Sequence, residues 1–177
     1  MRVVAGKYRG KILKEFDLES TRPTTDRVKE SIFNLIQFDV QDSVVLDLFA
    51  GTGALGVEAI SRGAKKVYFV DHNEKAIKII KSNTNNLDGD FEIVKSDYLT
   101  FLKASKIKWD IVLLDPPYAT DYGIKAIDFL INNDLLNEAS IIIFETSEMN
   151  NFDLKYEGFN IKKKKYGNIT VFKMEKE

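Results

Sequence analysis

Residues 44–56 read VVLDLFAGTGALG. A short β-branched and apolar run passes into three glycines, Gly51, Gly53 and Gly56, spaced G-x-G-x-x-G, and then into the stretch ALGVEAISR closed by Gly63. A strand that feeds a helix through such glycines opens a βαβ unit. Glycine allows the tight turn and lets the amino end of the helix approach a ligand closely.

The alternation continues outward from this stretch. VYFVD (67–71), FEIVK (91–95), DIVLLD (110–115) and SIIIFE (140–145) are further short runs, most of them apolar enough for burial on both faces. Between them lie EKAIKIIKSNTNN with Asn73 as its N-cap, the short YLTFLKA, and GIKAIDFLINN. This order predicts an α/β fold: a Rossmann-like, doubly wound, mostly parallel sheet. FNIKKK and NITVFKM around Tyr166-Gly167-Asn168 predict a C-terminal antiparallel hairpin that closes it.

Ahead of this core, Val28, Ile32, Leu35 and Ile36 recur at helical spacing after Pro23, with Thr24 and Thr25 as capping candidates. Before that helix, RVVAGKYRGKILKEF offers two short strands joined around Gly6 and Lys7. The expected division is a small β-extension over 1–21 and a main domain over 22–177. At 177 residues, 44% hydrophobic and 30% charged, the chain suits one globular unit.

No apolar run approaches the roughly 18 residues that cross a bilayer, and the start lacks the apolar core of a signal peptide, so a cytoplasmic protein is expected. Cysteine is absent and His72 is the one histidine, which excludes disulfides, a thiolate nucleophile, and thiolate or His-rich metal sites. No metal and no membrane partner are expected, and a monomer is.

The net charge of −1 hides an asymmetry. Residues 1–29 carry eight Lys/Arg against four Asp/Glu and residues 160–177 six against two, so both ends are +4 and the middle is −9. A polyanion approached by the termini and a solvated basic surface both fit this pattern. Lysines 162–165 alternate faces if they lie on a strand, so at most half of them can serve one partner.

The chemistry gathers at the carboxyl ends of the predicted strands, where open α/β sheets bind ligands. Asp71 ends the second strand twenty residues after Gly51, placed to accept from two ribose hydroxyls. NAD and S-adenosylmethionine share that requirement. Asp47 favours the second, because a carboxylate there repels a pyrophosphate and attracts the ammonium of a methionine moiety. Asp97, with Tyr98 beside it, is placed to contact an adenine amine and equally to cap YLTFLKA.

DPPY, residues 115–118, joins the fourth strand to its loop. Pro116 and Pro117 fix two φ angles and remove two donors, which leaves carbonyl oxygens free to accept. An exocyclic amine on a nucleobase is a poor nucleophile because its lone pair is delocalised into the ring. A carboxylate, Asp115, and a neighbouring carbonyl accepting its two hydrogens favour localisation of that lone pair, and Tyr118 can stack on the base.

DLFAGTGALG, the Asp71 strand end and DPPY together resemble Rossmann-fold amino-methyltransferases, and RPTTDRVKESIFN (22–34) with RVVAGKYRGK resembles the RsmD family. The likeness spans nearly the whole chain; DPPY is widely shared, and RPTTDRVKE is its specific part. It implies S-adenosylmethionine-dependent methylation of a guanine exocyclic amine (N2) in 16S RNA of the bacterial small ribosomal subunit. It further implies that Asp47, Gly51, Gly53, Asp71 and Asp97 line the cofactor pocket, joined here by Phe49, His72 and Tyr98. Asp115, Pro116, Pro117 and Tyr118 would receive the guanine.

Arg22, Thr24, Thr25 and Arg27 would lie at the pocket mouth, with the arginines towards phosphates. Arg2, Lys7, Arg9 and Lys11, around a Tyr8 able to stack on a base, complete the RNA-binding candidates. Competing readings are a NAD-dependent oxidoreductase on the same glycine loop, a DNA adenine-N6 methyltransferase and a non-catalytic RNA-binding protein. A pyrimidine C5 enzyme of the usual kind is excluded for want of cysteine.

Overall fold

The structure, a computed structural model, describes residues 1–16, 26–147, 149–150 and 152–177. Arg22, Pro23, Thr24, Thr25 and the expected boundary at residue 21 therefore lie outside the described residues. The elements run α1 (Asp26–Leu35), β1 (Val44–Leu48), α2 (Ala54–Ser61), β2 (Lys66–Asp71), α3 (Glu74–Thr84) and β3 (Phe91–Lys95). They continue with α4 (Tyr98–Ala104), β4 (Trp109–Leu114), α5 (Tyr122–Asn132), β5 (Leu136–Ser147), β6 (Phe159–Tyr166) and β7 (Ile169–Lys176).

The seven strands form one sheet in the order β3-β2-β1-β4-β5-β7-β6. The first five are mutually parallel, and β7 inserts antiparallel between β5 and β6. The predicted closing hairpin is thus present, with its second arm and not its first against the parallel sheet.

Strand side chains alternate between two cores. Val45, Phe69, Leu113 and Ile143 pack towards α1, α2 and α3, whereas Leu46, Val70, Val112 and Phe144 pack towards α4 and α5. Runs apolar at successive positions are required by a sheet covered on both faces. Asp47 occupies one of these positions on β1, only 1% exposed. β3, at the edge, is half-buried.

β5 begins four residues earlier than the apolar run SIIIFE indicates. The register against β4 shifts between Trp109 and Ile111, and Ala139 turns out with φ of 57°. The polar Asn137 and Glu138 in this irregular segment conceal it in the sequence.

Among its described residues the leader forms no regular strands: a single antiparallel bridge joins Arg2 and Ile12. Val3 N–H to Lys11 O and Leu13 N–H to Met1 O, each 2.9 Å, join its two arms, and tertiary contacts hold it to the domain, with Val3 and Leu13 buried in the α1–α2 core. Glu58 of α2, wholly buried, accepts from the N–H groups of Val4 (2.9 Å) and Ala5 (3.0 Å). It also meets Lys29 Nζ at 3.3 Å and Arg62 Nε at 2.9 Å.

Lys29, also wholly buried, donates to the Arg2 carbonyl, and burial pushes its ammonium pKa down. At Gly6 a Cβ would stand 1.9 Å from the Ser61 carbonyl, so only glycine allows this docking.

Candidate active site

A cavity of about 630 Å³ opens at the carboxyl edge of β1, β2, β3 and β4. It brings together Asp47, Phe49, Gly51, Asp71, His72, Asp97, Tyr98, Asp115, Pro116, Pro117 and Tyr118, eleven of the residues singled out in the sequence.

The turn out of β1 is a run of left-handed residues: Phe49 (φ 65°), Gly51 (φ 57°) and Gly53 (φ 77°). For a bulky aromatic this backbone costs on the order of 1–3 kcal/mol and marks a position held by its surroundings. Phe49 there packs against Tyr98 (centroids 5.0 Å) and lies near-parallel to Tyr122 (6.4 Å, 11°). Gly53 does not line the cavity; it is the N-cap of α2. Gly56 lets α2 approach the sheet, since a Cβ would come within 2.2 Å of the Phe69 ring.

The predicted carboxylates Asp47, Asp71 and Asp97 are anchored by backbone. Asp47 Oδ2 accepts from the Gly56 N–H at 2.9 Å. Burial pushes its pKa well above the ordinary aspartate value, opposed by that hydrogen bond, and the nearby charges of Asp115 and Asp71 push it further up. Asp71 accepts from Gly51 N–H (2.9 Å) and Asn73 N–H (2.8 Å). His72 Nδ1 is 3.7 Å from Asp71 Oδ1.

Asp97 does cap α4, with Oδ1 accepting from the backbones of Leu99 and Thr100 and from the Thr100 hydroxyl, which leaves Oδ2 out of the cap. Five acidic residues around one cavity, Glu15, Asp47, Asp71, Asp97 and Asp115, favour a cationic ligand and disfavour a pyrophosphate. Among the described residues no group of three or more His, Asp or Glu side chains is arranged to hold a metal, and no helix is long and apolar enough to cross a membrane.

The DPPY turn differs from its sequence reading in two respects. Its carbonyls are not all available: Pro117 O accepts from Thr120 N–H (3.2 Å) and Oγ1 (2.7 Å), and Tyr118 O accepts from Asn150 Nδ2. The Pro116 carbonyl has no hydrogen bond to any described residue. Nor does Tyr118 stand loose beside the site, because its hydroxyl donates to the buried Glu145 of β5 at 2.8 Å.

The basic candidates divide. Arg2 pairs with Asp26 at 3.5 Å and Lys7 with Asp88 at 2.8 Å, so both are engaged within the protein. Tyr8 is an anchor: its hydroxyl donates to Asp88 O and accepts from Asp88 N–H. Arg9, Lys11 and Arg27 pair with no acid among the described residues, and none of the basic candidates described lines the cavity.

Met1, Glu15 and Phe16 of the leader line the cavity without any signal in the sequence, and Tyr122 lines it too. Tyr122 starts α5, four residues beyond Tyr118, and that aromatic spacing after the DPPY turn is the one trace it leaves in the chain.

The reversed β7 separates this sheet from all-parallel dinucleotide-binding sheets and places the chain among the Rossmann-like methyltransferases. Within that class the chain belongs to the RsmD family: the sequence profile described as conserved hypothetical protein 95 matches residues 1–175. It is 37% identical over 153 residues to ribosomal RNA small subunit methyltransferase D of Haemophilus influenzae, covering 84% of this chain and 79% of that protein.

The Escherichia coli K12 protein of the same name is 34% identical, covering 85% and 76%. The solved structure of Escherichia coli yhhF matches with a TM-score of 0.89 at 29% identity, covering 100% of this chain and 98% of that one. The family match sets aside the NAD-dependent oxidoreductase reading.

Proposed function

We propose that this protein transfers a methyl group from S-adenosylmethionine to the N2 amine of a guanine in 16S ribosomal RNA of the small subunit. One observation carries the reading: Asp115 and the Pro116 carbonyl, which bears no hydrogen bond to a described residue, share a cavity with the glycine loop, Asp47, Asp71 and Asp97. The buried Asp47, its pKa raised by burial and by neighbouring carboxylates, fits a cationic amino-acid moiety that would relieve that burden. Asp71 retains lone pairs for ribose hydroxyls, and Asp97 Oδ2 for the adenine amine.

When bound, the cofactor supplies an electrophilic methyl group on a sulfonium. Asp115 and the Pro116 carbonyl accept the two amine hydrogens of the guanine and hold its nitrogen in place, with the lone pair out of conjugation. Held in this way the amine nitrogen would be the nucleophile towards that methyl group, and Asp115 would take the proton the nitrogen must lose. Tyr118 fixes the base plane, its own ring held through Glu145. Arg9, Lys11 and Arg27 meet phosphates, with Arg22 assigned the same role by family likeness.

The leader, residues 1–21 in the expected division, is then the RNA-docking part and 22–177 the catalytic part of a cytoplasmic monomer. The test is methyl transfer to small-subunit particles, 16S RNA, duplex DNA and free guanosine, with the modified nucleotide mapped by mass spectrometry. N2-methylguanine in the particle or its RNA is expected. Methylation of adenine in DNA would overturn the reading, because the same turn can hold an adenine amine.

A further inference from the structure

We propose that Asn83 is a positioning residue whose side-chain amide holds Lys14–Phe16 across the glycine loop, making the leader one wall of the methyl-donor pocket. The inference rests on the reading of the cavity as the S-adenosylmethionine site. Asn83 lies near the end of α3 and is 3% exposed. Its Oδ1 accepts from Lys14 N–H at 2.7 Å, and its Nδ2 donates to the Lys14 carbonyl at 3.0 Å and the Thr52 carbonyl at 2.9 Å.

The first two bonds copy the pairing a neighbouring strand would give Lys14, and the third crosses to the loop between Gly51 and Gly53. One amide thereby fixes two backbones that are distant in the chain. A buried asparagine with its donors and acceptor engaged in this way is specific for its partners.

Glu15 and Phe16, the next residues, line the cavity together with Gly51 and Thr52. The Phe16 ring comes within 4.0 Å of where a Cβ on Gly51 would stand. It supplies an apolar wall over a loop that otherwise presents backbone. Without Asn83, the Lys14 N–H and two carbonyls lose the partner that ties them together at a part-buried site, and Phe16 loses its fixed height above the loop. The effect falls on the holding of the donor and leaves the methyl-accepting turn untouched.

The experiment titrates the full chain with S-adenosylhomocysteine in calorimetry, comparing wild type, Asn83→Ala, Phe16→Ala and the double variant, and measures methyl transfer to small-subunit particles. Asn83→Ala is expected to weaken binding by roughly 10- to 100-fold. KM for S-adenosylmethionine should rise with it, while kcat at saturation stays within about threefold. Phe16→Ala is expected to give a similar loss, and the double variant no further loss, because Asn83 acts through Phe16.

Unchanged affinity in Asn83→Ala, or additive losses in the double variant, would overturn the proposal. If Asn83→Ala does not fold, Phe16→Ala with wild-type affinity overturns it alone. A wild-type protein that does not bind S-adenosylhomocysteine would overturn the cofactor reading, and this proposal with it.

Discussion

On the β1–β2–β3 side of the cavity, carboxylates are held by backbone N–H groups: Asp47 by Gly56, Asp71 by Gly51 and Asn73, Asp97 by Leu99 and Thr100. On the β4 side the DPPY turn is held largely by side chains, with Tyr118 reaching Glu145 and being reached by Asn150. The first bank is shaped largely by the turns that follow its strands, with the Gly51–Asp71 bond joining the turn after β1 to the end of β2. The second depends on β5 and the loop beyond it, so its geometry exists only once the sheet is complete.

The sharpest way to break this comparison is Asp115→Ala. Methyl transfer should fall by about 10²- to 10³-fold, comparable to loss of one preorganised group at a reacting atom, with S-adenosylhomocysteine affinity changed only a few-fold. Single-turnover transfer and calorimetry read the two quantities. A loss confined to affinity would move Asp115 to the cofactor bank.

Asp71→Ala should do the reverse, weakening cofactor binding by about 2–4 kcal/mol through removal of charged-acceptor bonds and release of Gly51. Turnover at saturating cofactor should survive, which steady-state kinetics over a range of S-adenosylmethionine concentrations will read.

Asp47 tests the same bank through pH. Burial raises its folded-state pKa above the unfolded value, so its contribution favours folding at pH below the unfolded pKa and is lost as pH rises through the folded one. Asp47→Asn should raise the urea midpoint of the ligand-free protein at neutral pH, flatten its pH dependence and weaken cofactor binding.

Tyr118→Phe sharpens the other bank by keeping the ring and removing the hydroxyl bond to Glu145. It should lower turnover on small-subunit particles by about 1 kcal/mol in activation free energy. Wild-type turnover would show that the ring alone fixes the base plane.

The smallest effect belongs to the leader. Replacing Arg9 and Lys11 with alanine should reduce the salt dependence of RNA binding by a slope of about 0.7–0.9 for each phosphate no longer neutralised, with cofactor affinity retained. An unchanged slope in filter binding across a salt series would remove both from the RNA face.

Local sequence carried much of this molecule. The G-x-G-x-x-G loop, the acids at the ends of β1 and β2 and the acid–proline–proline turn after β4 were legible because each is a chain signal written over a few residues. β-branched runs separated by capped, periodic helices likewise made the strand–helix alternation readable, since a sheet buried on both faces admits little else.

What the tertiary structure alone decided are contacts between distant residues. The order that places β7 beside β5, the burial of Lys29 against Glu58, the left-handed Phe49 and the docking of Lys14 on Asn83 leave no periodic trace. The leader reads as two strands because its residues suit them, yet its arms pair only briefly around Arg2 and Ile12, and side chains of α2 and α3 satisfy backbone groups that a longer ladder would have taken. A backbone N–H needs a partner when water is excluded, but composition does not say which partner. That choice is made when the elements pack.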